Sequence, residues 1–180
     1  MNATKFLIET LFDLYLMVIM LRIWLQLTRA DFYNPLSQLV VKATQPVVGP
    51  LRRFVPSIGR LDTASVLFAL AVSFAKLSVV SLAVSQNWYP IPFLIFTPFD
   101  LAIQALNLMF YVLLLRAILS FVSQGSSPVE YVLMQLTEPM LRPVRSIIPP
   151  LGGFDLSVLV VIIAIQFLMI LVRDFAAVLF

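Results

Sequence analysis

The chain of 180 residues contains no cysteine and no histidine. Without cysteine there are no disulfides, thiolate metal sites or cysteine nucleophiles. Without histidine the commonest zinc ligand and the commonest general base are missing. Charge is scarce too, at 12% of residues, where a soluble domain carries about a quarter. Apolar residues fill the gap: 61% of the chain is hydrophobic and the mean hydropathy is +1.02. These figures exclude an ordinary soluble domain and point to an integral membrane protein with a few spans. The formal net charge of +3 is small, and its placement matters more than its sum.

A bilayer core needs roughly 20 helical residues to cross. Four apolar windows fit, at residues 5–27, 63–84, 101–122 and 156–172. The first holds Glu9, Asp13 and Arg22 and lacks an Ala-x-Ala cleavage site, so it is expected to be a retained span and not a cleaved signal. All twelve prolines and all five glycines fall outside the four windows, as helix limits require. Trp88 and Tyr89 suit an interfacial aromatic belt. Seven basic residues lie in the first and third connections: Arg29, Lys42, Arg52, Arg53, Arg60, Arg142 and Arg145. Only Lys5 and Arg173 lie on the other side. The positive-inside rule then predicts cytoplasmic connections and extracytoplasmic termini.

An internal repeat is the strongest pattern. Residues 35–62 align with residues 128–155 without a gap, and eight of 28 positions are identical. Pro35, Thr44, Pro46, Pro50, Arg52, Pro56, Gly59 and Asp62 meet Pro128, Thr137, Pro139, Pro143, Arg145, Pro149, Gly152 and Asp155. Arg22 and Arg116 correspond after a one-residue adjustment. The expected fold is all-α, with four transmembrane helices in two parallel helix–strap–helix repeats, 1–89 and 90–180. Leu36, Leu39, Val40 and Ala43, like Val129, Val132, Leu133 and Leu136, fall at i, i+3, i+4, i+7. That spacing predicts a short amphipathic helix in each connection, lying on the membrane surface or packed on the ends of the spans. Each is expected to stop near Pro46 or Pro139 and to lead into a stiff, proline-held strap. In the strap, Arg52, Arg142 and Arg145 can bond lipid phosphates or helix carbonyls. Asp62 and Asp155 then stand where an N-cap would start the next span, each preceded by a turn-forming Gly59 or Gly152.

These residues resemble the YggT (YlmG-like) family of small bacterial and plastid membrane proteins. The resemblance rests on Arg116, Leu136-Thr137-Glu138-Pro139, Pro143-Val144-Arg145, Ile148-Pro149, Gly152 and Asp155-Leu156-Ser157 in the second half. In the first half it rests on Arg22, Thr44-Gln45-Pro46, Pro50-Leu51-Arg52, Val55-Pro56, Gly59 and Asp62. The family pattern continues with proline after the serine, whereas this chain has Val158 there and Thr63-Ala64 after Asp62. The resemblance implies a bacterial inner-membrane protein linked to osmotic or ionic stress tolerance, cell division or nucleoid organisation, or assembly of membrane complexes.

From the residues themselves two functions compete. Glu9 and Asp13 lie on one helix face and, with Lys76, are candidates for an ion path. Against this, Glu9 and Lys5 fit the outer interface, and Arg22 and Arg116 can snorkel to head groups. The alternative is a scaffold or assembly protein whose basic connections contact anionic lipid head groups, a membrane partner or a second copy of the chain. No enzyme motif or cofactor motif is present. Direct nucleic-acid binding is not expected, because the basic residues lack an array of stacking aromatics.

Overall fold

The computed structural model describes residues 3–122, 127–147 and 155–179. They form six helices: α1 (Ala3–Thr28), α2 (Pro35–Leu51), α3 (Thr63–Ser85), α4 (Pro90–Val122), α5 (Pro128–Arg145) and α6 (Leu156–Leu179). Proline opens α2, α4 and α5, where its fixed φ fits the first turn and its missing N–H is not needed. Asn34 caps α2 by accepting from the Leu36 amide at 3.0 Å. Helix α1 ends where Arg29 turns left-handed (φ 53°) and the Ala30 amide reaches back to the Leu25 carbonyl at 3.0 Å. That is a Schellman-type closure. Between α2 and α3, Gly59 (φ +60°) lets Ile58 and Leu61 pair in a two-residue hairpin, a positive φ that a side chain would strain.

Three apolar clusters join the helices. Leu16, Ile19 and Ile23 of α1 meet Ala69 of α3 and Leu101 of α4. Trp24 and Leu25 meet Val40 of α2, Leu108 and Val112 of α4, and Val132, Leu133 and Leu136 of α5. Leu113 of α4 and Leu141 of α5 meet Val161, Ile165 and Met169 of α6. Large apolar side chains such as Leu7 and Leu11 of α1, Leu82 of α3 and Phe167 and Ile170 of α6 face outward. A surface of that kind needs a nonpolar solvent.

The structure corrects the expected four spans in two repeats. Three of the described helices are long and apolar enough to cross a membrane, namely α3, α4 and α6. Helix α1 is not among them, and it carries four charges. Lys5, Glu9, Asp13 and Arg22 stand along it, and an Asp, Lys or Arg at a bilayer centre costs about 2.5–3.5 kcal/mol. The expected placement of both termini outside rests on a count of four spans; among the described residues three helices are of that kind.

The strap is corrected too. Helix α2 runs through Pro46 and Pro50, and α5 through Pro139 and Pro143, so neither stops at its first internal proline. Helix α4 starts at Pro90 instead of Leu101 and contains Pro98. All five internal prolines lie on exposed faces. On an exposed face the ring meets no neighbouring helix, although the carbonyl four residues earlier still loses its N–H partner.

The inward face of α5 includes Val132, Leu133 and Leu136 as its spacing predicts. In α2 the buried positions are Ser37, Val40, Thr44 and Val48, while Leu39 is 62% exposed. Helix α2 is rotated relative to the pattern, and the polar contact of Thr44 described below is the reason.

Candidate functional site

The charged side chains gather in three clusters, each built across helices. In the first, α1 delivers Arg22, which is 3% exposed. Its Nη1 donates to Thr44 Oγ1 at 2.6 Å and its Nη2 to Gln45 Oε1 at 2.8 Å. Its Nε lies 3.7 Å from Asp62 Oδ2. Arg52, just past the end of α2, grips the same carboxylate, with Nη2 2.5 Å from Oδ2 and Nε 3.2 Å from Oδ1. Arg52 Nη2 also donates to Gln26 Oε1 at 3.1 Å, and Ser65 Oγ donates to Asp62 Oδ2 at 2.5 Å. Asp62 is fully buried and makes no side-chain cap to α3, so its expected role as an N-cap gives way to that of an ion-pair centre.

The second cluster uses corresponding residues. Arg116 of α4 donates to Thr137 Oγ1 and lies 3.6 Å from Glu138 Oε2. Arg145 holds Glu138 at 3.0 Å and Asp155 at 2.5 Å. Asp155 does cap its helix, accepting from the Ser157 amide at 3.1 Å and also from the Ser157 hydroxyl. Both aspartates titrate below the ordinary carboxylate value. Burial, the largest influence on Asp62, pushes its pKa up, but hydrogen bonds from Arg52 and Ser65 and the charges of Arg52 and Arg22 outweigh it. For Asp155 burial again pushes up, and Arg145 and Ser157 outweigh it. The Arg145 guanidinium is held above its usual value, chiefly by its hydrogen bond to Asp155.

The third cluster lies within the helix bundle. Lys76 of α3, 6% exposed, places Nζ 2.5 Å from Asp100 Oδ1 and 3.0 Å from Asp13 Oδ1. Ser73 Oγ donates to Asp100 Oδ2 at 2.6 Å, and Gln104 Nε2 donates to Asp13 Oδ1 at 2.6 Å. Helices α1, α3 and α4 are thus stitched by polar bonds among apolar layers.

The structure brings Arg22, Arg52 and Asp62 together, then Arg116, Arg145 and Asp155, then Asp13 and Lys76. Glu9 pairs with Lys5 at 3.7 Å and not with the Asp13–Lys76 cluster. Pro46 and Pro139 are helix-internal, the Pro56 carbonyl accepts from Thr63 Oγ1 at 2.6 Å, and Arg142 is exposed beside Arg29 and Thr28. Pro149 and Gly152 lie outside the described residues.

The sequence gives no separate signal for Gln26, Asp100 or Gln104, and Gln45 and Glu138 enter only as positions of the family segments quoted above. Thr44 and Thr137 had a signal, since they are identical in the aligned segments. Asp100 stands one residue outside the expected third window, 101–122.

A family profile described as CCB3/YggT matches residues 1–83 and 95–176. A Vibrio alginolyticus protein described as "uncharacterized protein in proC 3′ region" is 57% identical over 176 residues, covering 97% of this chain and 95% of its own. The Escherichia coli K12 protein "uncharacterized protein YggT" is 46% identical over 164 residues, covering 91% and 85%. A Pseudomonas aeruginosa relative is 36% identical over 180 residues, covering 98% and 91%. No solved structure matches the chain. The profile and the relatives span almost the whole sequence, and the helices supply the apolar spans; the chain belongs to the CCB3/YggT family, as an all-helical, multi-pass protein of the inner membrane.

Proposed function

We propose that the protein is a non-enzymatic membrane scaffold that supports membrane organisation, complex assembly or tolerance of osmotic and ionic stress. The observation behind this reading is that Arg22, Asp62, Lys76 and Asp100, all buried, are each engaged by a countercharge. Charges paired in this way fasten helices together. Arg22 and Arg52 fix α2 between α1 and α3, and Arg116 and Arg145 fix α5 beside α4 and α6. Two short helices are thereby held rigid, with Lys42, Arg53 and Arg142 exposed toward anionic head groups, a membrane partner or a second copy. In this reading the two halves, 1–89 and 90–180, each present one such helix.

The exposed basic residues face the cytoplasm in this proposal. Since the chain lacks cysteine, a single Arg60→Cys variant tests it directly. A membrane-impermeant thiol reagent should label the variant in opened cells only, and labelling of intact spheroplasts would reverse the orientation.

A second reading, an ion channel or transporter, is favoured by the Asp13–Lys76–Asp100 cluster, because ionisable groups at membrane depth often mark ion pathways. Purified protein in liposomes separates the two. The scaffold reading expects no selective ion flux together with specific in-cell cross-links from α2 or α5. Selective flux abolished by Asp13→Asn would establish the pathway instead.

A further inference from the structure

The two arginine clusters differ at one position in a way that changes their charge. In the second, Glu138 lies against both Arg116 and Arg145, so two guanidinium groups meet two carboxylates, Glu138 and Asp155. In the first, the corresponding residue is Gln45, and Arg22 and Arg52 share the single carboxylate of Asp62. One positive charge is left over. A cavity of about 360 Å³ opens beside it, lined by Arg22, Gln26, Phe32, Val41, Gln45 and Arg52.

The polar residues that line this space, Arg22, Gln26, Gln45 and Arg52, all carry donors. Gln45 turns its Oε1 to Arg22, and Gln26 turns its Oε1 to Arg52, which leaves both Nε2 groups free to donate. Among the described residues no protein atom accepts from Arg52 Nη1, and the Arg52 side chain is 38% exposed. Arg22 is held rigid by Thr44 and Gln45, so its charge is fixed in place at little further cost in side-chain freedom. Asp62 immediately precedes α3, a helix long and apolar enough to cross a membrane, so the cluster lies at one end of that helix.

The geometry points to an anion site for a phosphate group between Arg22, Arg52, Gln26 and Gln45, filled in the other half of the chain by the protein's own Glu138. Guanidinium with amide donors is the donor set that phosphate oxygens take. The ligand is either the phosphodiester of an anionic lipid or free phosphate. The site requires neither the scaffold nor the channel reading, because it depends on the charge balance of one cluster.

The test uses the full chain in nanodiscs. One arm measures retention of phosphatidylglycerol against phosphatidylcholine by native mass spectrometry. The other titrates inorganic phosphate calorimetrically into protein held in phosphatidylcholine alone. Binding in the first arm only identifies the lipid head group, and binding in the second identifies a free-anion site. Binding in neither overturns the proposal. Gln45→Glu, which installs the carboxylate of the other half, should weaken the observed binding about tenfold or more. Gln26→Glu should do the same and decides alone if the first variant fails to fold. Wild-type binding in a folded carboxylate variant would also overturn the assignment.

Discussion

The side-chain amide of Asn34 donates to the carbonyl of Pro128 at 2.6 Å, so the first turn of α2 is tied to the first turn of α5. The same side chain uses its oxygen to cap α2 through the Leu36 amide. One buried residue thus starts one surface helix and holds the other.

Two variants separate these roles. Asn34→Ala should cost about 2 kcal/mol, from one lost cap and one lost hydrogen bond of about 1 kcal/mol each. Asn34→Asp keeps the capping oxygen and loses the donor, and it turns a carboxylate toward the Pro128 carbonyl. Thermal unfolding in detergent should rank both below wild type. An Asn34→Asp protein as stable as wild type would remove the bond to Pro128 from the account.

Asp62 and Asp155 are equivalent in sequence but not in burial. Asp62→Ala leaves Arg22 buried beside no carboxylate, a loss of about 3–5 kcal/mol for a broken buried pair. Asp155→Ala should cost less, because the Asp155 side chain is 34% exposed and Arg145 keeps Glu138. Membrane abundance and melting temperature check the order. Equal losses would mean that burial does not set it.

Acid should loosen both connections. The pKa values of Asp62 and Asp155 are depressed in the folded protein. Their contribution is therefore fully present above the unfolded carboxylate value, about 3.9. It is lost as pH falls through the lower folded value. Melting curves taken from pH 6 down to pH 3 should show this decline, and Asp62→Asn should flatten it. A decline unchanged in Asp62→Asn would assign it to other carboxylates.

The Lys76 cluster should behave as a clamp. Lys76→Met alone leaves Asp13 and Asp100 facing each other's charge and should lower abundance, in line with a broken buried pair of about 3–5 kcal/mol. Adding Asp13→Asn and Asp100→Asn removes the charges and keeps acceptors for Gln104 and Ser73. The triple variant should recover most of the abundance lost by the single one. Failure to recover would show that the ion pairs themselves are required.

The ends of several helices were legible in the sequence. Proline at 35 and 128, and aspartate at 62 and 155, mark boundaries that backbone chemistry enforces locally. The path through Pro46, Pro50, Pro139 and Pro143 was not legible, because proline's cost in a helix depends on which face it occupies, and packing sets that face. Nor was the rotation of α2. Its apolar spacing favoured Leu39, while the buried Arg22 guanidinium drew Thr44 inward. Span number failed because an apolar run is a poor guide where four charges stand along the same helix, as Lys5, Glu9, Asp13 and Arg22 do along α1. Asp100 shows the same limit, as nothing in one sequence tells which carboxylate a lone lysine in a helix will meet.

The separation of Arg22 from Asp62 along the chain also bears on biogenesis. The ribosome delivers the guanidinium first, and its carboxylate follows only after the whole of α2 and the Gly59 turn. A nascent chain that has exposed α1 alone therefore holds the Arg22 cation before its carboxylate partner has been made. Neutralisation comes only when the turn brings Asp62 back beside Arg22, after α2 is complete.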